Sequence, residues 1–186
     1  KNGNYELVGI PQDGGHFINT SPTHEQPYFP ISQRLPTVSD SFEPIECDFA
    51  LKRGKWVGGN VSDSMSGESL SDVLVEYLPL RDNEYAASYP HYRPEVTQST
   101  PSRRFRTDEE GNFRVLAIPG RGVLAAVSNG ADYGEFTKLS VGQVSDNLMG
   151  EGPNLNTYHP CNVTICNALF EVDLSDETQD AAYNIT

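Results

Sequence analysis

The sequence is poor in cysteine, in basic residues and in long apolar runs, and each shortage excludes a class of protein. Three cysteines in 186 residues are too few for a scaffold held together by disulfides. No apolar run approaches the roughly 18 residues that a transmembrane helix needs, so membrane insertion is not expected. Thirteen basic residues against 26 acidic ones give a formal net charge of −13. This charge argues against nucleic acid as a partner, because phosphates repel an acidic surface.

The sequence also lacks the motifs of common catalytic sites. It contains neither a Gly-x-Ser-x-Gly nucleophile elbow nor a His-Glu-x-x-His zinc motif. Only four histidines occur, and none forms the His-x-His pair that would complete an iron site with the tyrosines around His91 and His159. We therefore predict that the chain is not an enzyme, with Ca²⁺ as the only cofactor left open.

What the chain has in abundance is strand formers and chain breakers. Nine tyrosines, eight phenylalanines, 16 glycines and 13 prolines accompany short apolar runs, and no long helical period is present. This composition is typical of an all-β sandwich. The strongest strand signal is Val73 to Leu78, in which Val73, Val75 and Tyr77 share one face. Further strands are predicted over 5–10, 16–19, 45–51, 55–61, 113–118, 123–127, 136–141, 168–174 and 182–186, with residues 21–44 as loop and 62–71 as a turn.

Two glycines interrupt the strand predicted over 55–61. Gly58 and Gly59 occupy adjacent positions near its centre. Glycine inside a strand indicates a bulge or a close approach by another backbone. We expect one of the two at this point of the fold.

Two segments far apart in the chain repeat each other. Residues 3–11 read GNYELVGIP and residues 111–119 read GNFRVLAIP. A turn with glycine and a strand-like run follow each copy, and the run from Phe49 corresponds to the final strand from Tyr183. A unit that recurs at long spacing is typical of a tandem array. We therefore interpret residues 1–52 as the C-terminal tail of one β-sandwich repeat and residues 53–186 as the next sandwich, of about seven strands.

Three segments of the second unit resemble the carboxypeptidase regulatory-like domain family. They read GKWVGGNVSD at 54–63, SGESLSDVLV at 66–75 and RTDEEGNF at 106–113. The positions that fit the family pattern are Gly59, Val61, Asp63, Gly67, Leu70, Val73, Val75, Thr107, Asp108, Gly111 and Phe113. Ser66, Ser69 and Asp72 stand where the family usually has Thr, Pro and Gly. The resemblance implies a transthyretin-like (prealbumin-like, Ig-like) sandwich and a large exported bacterial parent that carries such domains in tandem.

Three neighbouring carboxylates are weak candidates for a Ca²⁺ site. Asp108, Glu109 and Glu110 precede Gly111 in a predicted hairpin turn. Their oxygens are ligands that Ca²⁺ prefers, although their spacing is not that of an EF-hand loop. The alternative interpretation is a solvated turn.

The long segment 80–104 is a candidate partner surface. It places aromatic residues beside arginines in a chain that is otherwise acidic, and a connection of this length is usually functional. The alternative interpretation is a loop that caps one end of the sandwich. The candidate contact residues for a protein or glycan are Tyr85, Tyr89, His91, Tyr92 and Arg93.

The cysteines leave their pairing open. Cys161 and Cys166 flank a β-branched stretch, and if that stretch is extended their sulfurs lie on opposite faces about 16 Å apart. A bridge needs Cα atoms within about 7 Å, so these two can pair only if the segment turns back. Cys47 is expected to be a buried free thiol.

These patterns favour a non-catalytic β-sandwich module of a larger exported protein, located outside the cell or on its surface. Its role would be structural, adhesive or in assembly, including that of a filament or fibre subunit. Its partners would be neighbouring domains or copies of itself. The alternatives are an accessory domain of a metallocarboxypeptidase-type enzyme and a module that binds glycan or Ca²⁺.

Overall fold

A computed structural model describes residues 3–10, 15–36, 44–89, 106–128, 167–174 and 181–186. Two short strands, β1 (Phe17–Asn19) and β2 (Ser32–Arg34), pair with each other near the N-terminus. Six longer strands follow, and Ala86–Ser88 forms a single 3₁₀ turn. Within these ranges no helix is long and apolar enough to cross a membrane. The six strands are β3 (Lys55–Val61), β4 (Leu74–Pro79), β5 (Asn112–Ala117), β6 (Gly120–Val127), β7 (Ala168–Leu174) and β8 (Ala181–Ile185).

The six longer strands form two three-stranded sheets around one apolar core. In the first sheet, β3 pairs antiparallel with β5 on one side and parallel with β8 on the other. In the second sheet, β6 pairs antiparallel with both β4 and β7. The prediction of an all-β sandwich is confirmed. Side chains from both sheets meet in one buried cluster, which includes Val57, Val75, Val115, Leu124, Leu174 and Ile185.

Gly59 is the point of closest backbone approach in the first sheet. It pairs with Phe113 on one side and with Tyr183 on the other. A Cβ atom at this position would lie 1.6 Å from the carbonyl oxygen of Tyr183 and 2.9 Å from the ring of Phe113. At Gly58 a Cβ atom would meet only the Phe113 carbonyl oxygen, at 3.4 Å. The close approach predicted from the glycine pair is confirmed, and it falls on Gly59 alone.

The turn between β3 and β4 is stabilised by one aspartate. The Asp63 carboxylate accepts hydrogen bonds from the backbone N–H groups of Met65 (2.8 Å) and Ser66 (2.7 Å). Gly67 follows with φ of 74°, a conformation that favours glycine. The turn predicted over 62–71 is therefore confirmed.

Asp72 has an unusual backbone conformation for a residue with a side chain. It has φ of 58°, and no other non-glycine residue in the described ranges has a positive φ. A glycine would adopt this conformation without steric cost, whereas aspartate tolerates it less well. Arg106 donates to the Asp72 carbonyl oxygen at 2.6 Å and lies 3.3 Å from its carboxylate.

The strand prediction is correct for the sandwich and partly wrong before it. The strand predicted over 168–174 has those bounds, and β6 extends the predicted 123–127 back to Gly120. Residues 5–10 and 45–51 were predicted as strands, yet they take part in no β-bridge in the described chain. Their sequences suit a strand, but a strand also needs a partner for its backbone groups. β2 lies inside the predicted loop 21–44, and 136–141 falls outside the described residues.

The N-terminal hairpin is joined to the sandwich through an aromatic contact. Phe29 is buried, and its ring would lie 2.7 Å from a Cβ atom at Gly54, just before β3. The Phe29 N–H donates to the Lys52 carbonyl (3.0 Å), and the Gly54 N–H donates to the Pro27 carbonyl (2.8 Å). Residues 27–29 and 52–54 therefore run side by side into the first sheet.

Candidate functional site

Two residues of the predicted partner surface, Tyr85 and Tyr89, lie in the described ranges, and both pack partly against the sandwich. Tyr89 is half-buried, donates its hydroxyl to the Arg53 carbonyl (2.9 Å) and meets the ring of Phe29 edge-on at 5.7 Å. Tyr85 is half-buried, and its ring would touch a Cβ atom at Gly120. These two tyrosines therefore hold the segment after β4 onto the sandwich. His91, Tyr92 and Arg93 lie outside the described residues, so their part of the surface stays a prediction.

A buried asparagine that sequence reasoning missed fixes the same segment. The Asn83 side-chain amide donates to the carbonyl oxygens of Pro119 (2.9 Å) and Arg121 (2.6 Å). Its side-chain oxygen accepts from the Tyr85 N–H (2.9 Å). An asparagine can use all of these groups at once, whereas an aspartate would lack the two donors. The only hint in the sequence is its place beside an aspartate after a proline-ended strand.

In the acidic hairpin turn, the carboxylate of Asp108 accepts hydrogen bonds from the backbone of the turn itself. Asp108 accepts from the N–H groups of Glu110 (3.1 Å) and Asn112 (2.7 Å), and its second oxygen accepts from the Asn112 side chain (3.2 Å). Gly111 closes the turn with φ of 77°. In the described part of the chain, no three residues among His, Cys, Asp and Glu come together as a metal site. Ca²⁺ binding through Asp108, Glu109 and Glu110 stays a prediction.

Thr107 connects two other segments of the fold. Its buried hydroxyl donates to the Leu70 carbonyl (2.6 Å) and accepts from the Val73 N–H (3.0 Å). Its own N–H donates to the Val73 carbonyl (2.9 Å). The Thr-Asp pair that marks the family resemblance therefore serves the architecture: Thr107 joins β4 to the entry of β5, and Asp108 shapes the turn.

One buried carboxyl group has no such role. Glu76 lies on β4 opposite Ala125, and its Oε1 atom is buried without a hydrogen-bond partner. Burial raises the pKa of Glu76 to about 7, because the charged form loses its hydration. Glu76 belongs to the sheet face opposite Val75 and Tyr77, and Val123 and Ala125 are buried on that face as well. Both faces of β4 are therefore covered.

An open cavity of about 380 Å³ lies between the sheets at one end of the sandwich. Its size is within the range of small-ligand sites. The lining is mostly apolar, and its polar members are Ser62, Asp63, Ser64, Ser128, Asn167 and Thr186. Among the residues that line it are Val61, Leu70, Val73, Ala126, Phe170 and Ile185.

The large exposed apolar side chains are concentrated near the N-terminus. Tyr5 is 51% exposed, Leu7 57%, Val8 83% and Ile10 37%, and Phe17 is also exposed. Elsewhere in the described ranges only Met65 belongs to this group. Exposed apolar side chains concentrated in one part of a chain are typical of an interaction site. We call residues 3–10 the N-terminal segment.

A second extended stretch lies beside the N-terminal segment. Residues 44–51, which we call the linker segment, alternate between exposed and half-buried positions, with Ile45, Cys47 and Phe49 half-buried. The rings of Tyr5 and Phe49 are 6.1 Å apart, and the Tyr5 hydroxyl donates to the Cys47 carbonyl. Cys47 is a free thiol as predicted, but it is half-buried rather than buried. Cys161 and Cys166 lie outside the described residues, so their pairing stays a prediction.

Comparisons with known proteins find no matching family model, no matching curated protein and no matching solved structure. The resemblance to the carboxypeptidase regulatory-like family therefore rests on the motifs quoted above.

Proposed function

We propose that the chain is a non-catalytic β-sandwich module of a larger exported or cell-surface protein, where it takes part in assembly with neighbouring domains or copies of itself. The sandwich would be of the transthyretin-like type. The observation that carries the proposal is the exposure of apolar side chains in the N-terminal segment, where Tyr5, Leu7 and Val8 are all more than half exposed. Exposed apolar surface is costly in water unless a partner covers it.

The hydrogen bonds of three polar side chains support the same proposal. Asn83, Thr107 and Asp108 combine side-chain oxygens and donors in the way that catalytic groups do. Each of them, however, makes hydrogen bonds to backbone groups of the fold. Such side chains stabilise the sandwich, and the surface is then the natural place for function.

The strand edges offer a second route to assembly. β7 carries Glu171 and Asp173 on its exposed face, and charges at an edge oppose pairing with another sheet. Among the described strands, β8 is one of the two edges of the first sheet, and its sequence from Ala181 to Ile185 has no charged residue. An uncharged edge is the better template for strand addition.

Sedimentation velocity over a concentration series tests the proposal. We expect reversible association, with the fraction of larger species rising with concentration. Leu7→Ser should weaken this association, whereas Glu109→Ser, a change in the exposed acidic turn, should not. A chain that remains a single species throughout, alone and mixed with its neighbouring domain, would remove the assembly role. The glycan or Ca²⁺ alternative predicts saturable heat in calorimetry with those ligands instead.

A further inference from the structure

We infer that the N-terminal segment and the linker segment together form a docking site for one β-strand of a partner polypeptide. The strand would lie between them, antiparallel to residues 3–10 and parallel to residues 44–51. This inference deepens the assembly role proposed above and rests on it. It names the site, the register and the chemistry of the partner.

The first argument is the correspondence with the complete sandwich. Tyr5 is the sequence counterpart of Phe113 in β5, and Phe49 is the counterpart of Tyr183 in β8. Phe113 and Tyr183 both pair with Gly59, because β5 and β8 lie on the two sides of β3. The residues that flank one central strand in the sandwich thus have counterparts in the two unpaired segments.

The second argument is the position of those counterparts. Tyr5 and Phe49 are distant in sequence, yet their ring centroids are 6.1 Å apart at an angle of 44°. The Tyr5 hydroxyl reaches the Cys47 carbonyl, so the two backbones are separated by the length of a tyrosine side chain. Directly paired strands lie about 4.8 Å apart, and strands that flank a third lie about twice that far apart. The gap that the Tyr5 side chain spans is wider than the spacing of directly paired strands and close to that of two strands that flank a third.

The third argument is the state of the backbone and side chains. Residues 4–10 and 44–51 form no β-bridge with any described residue, and the Cys47 carbonyl would exchange its bond to the Tyr5 hydroxyl for one to the partner strand. Gly3 has φ of 74° and its counterpart Gly111 has φ of 77°, so both copies begin with a glycine in the left-handed region. Leu7 is 57% exposed, whereas its counterpart Val115 is buried. Pairing would cover what is now exposed.

The register defines the partner's chemistry. The partner needs a glycine where it faces Tyr5 and Phe49. In the sandwich, only glycine fits at position 59, between Phe113 and Tyr183. An apolar residue two positions earlier would face Leu7, as Val57 faces Val115. An apolar residue two positions later would face Leu51, as Val61 faces Ile185. The partner is therefore an extended segment of the type Val-x-Gly-x-Val.

The partner strand comes from a segment that is free to pair on both edges. The β3 strand of an intact second copy does not qualify, because β5 and β8 already occupy its two edges. We therefore assign the site to an unpaired strand of a partner polypeptide. Main-chain hydrogen bonds on both sides would give affinity, and the glycine would give specificity.

A labelled peptide that copies residues 54–62 is the probe, and fluorescence anisotropy is the measurement. We expect saturable binding to the whole chain. Gly59→Val in the peptide should abolish binding, whereas Gly58→Val should be tolerated, because a Cβ atom at Gly58 has room. In the protein, Leu7→Ala should weaken binding by about tenfold or more, since the contact with the partner's apolar residue is lost.

The matched protein control is Glu6→Ala, because Glu6 corresponds to Arg114, which is exposed in β5 opposite Gly58. It should change the affinity by no more than about twofold. Leu7 and Glu6 are both exposed, so neither variant should change the thermal unfolding of the sandwich. Absence of binding, or equal effects of the two protein variants or of the two peptide variants, would overturn the inference. If the chain still associates in sedimentation while the peptide fails to bind, the assembly role stands and the strand site does not.

Discussion

Glu76 makes the stability of the sandwich depend on pH. Its pKa rises from 4.5 in the unfolded chain to about 7 in the fold, because burial penalises the carboxylate. Since one pKa unit corresponds to about 1.36 kcal/mol, keeping Glu76 charged in the fold costs roughly 3 kcal/mol. Between the two pKa values the folded chain binds more protons than the unfolded one, so stability falls as pH rises through this window and levels off above it.

Glu76→Gln removes the titrating group and nearly keeps its size. Urea unfolding at about pH 5 and about pH 8 should show that wild type loses about 2 kcal/mol more than the variant, because part of the cost already exists at the lower pH. At the higher pH the variant should be the more stable protein. The nearby charges of Glu171, Asp173 and Arg121 are exposed and common to both proteins, so they cancel in the comparison. Identical pH dependence of the two proteins would refute the reasoning.

Two further pairs of substitutions test the packing and the polar contacts of the sandwich. Gly59→Ala should destabilise the sandwich by about 4 kcal/mol or more, because the new methyl group would overlap the Tyr183 carbonyl. Gly58→Ala should change its stability by less than about 1 kcal/mol, and chemical denaturation of both variants measures the difference. Thr107→Val should cost about 2–4 kcal/mol by leaving two buried backbone groups unpaired, and Thr107→Ser, which keeps the hydroxyl, should cost clearly less. Equal losses for the members of either pair would contradict these assignments.

The sandwich itself was predictable because its strands obey simple periodicity. In β7, Val172 and Leu174 are buried while Glu171 and Asp173 are exposed, and this alternation is visible in the sequence. In β4 the alternation gave the two faces correctly but not their burial, because a pattern along one strand does not reveal what covers its second face. The burial of Glu76 therefore could not be predicted.

The contacts that organise the candidate site depend on tertiary geometry. Asn83 donates to carbonyl groups of a turn far along the chain, and no spacing rule connects those positions. Thr107 was singled out as a motif position, but its bonds to the segment before β4 required the fold. The N-terminal segment shows the converse, since a strand-like sequence there forms no strand without a partner.

The central claim is that residues 3–10 share the sequence pattern of residues 111–118 but do not pair with another strand as those residues do. Hydrogen exchange of the backbone amides tests this claim most directly. In the chain alone, the amides of 112–117 that bond to β3 should be strongly protected, while those of 4–10 should exchange as in an unstructured peptide. With the peptide copy of residues 54–62 at saturation, exchange in 4–10 and 44–51 should slow by about 100-fold. Equal protection of both segments in the chain alone, or no slowing with the peptide, would contradict the account.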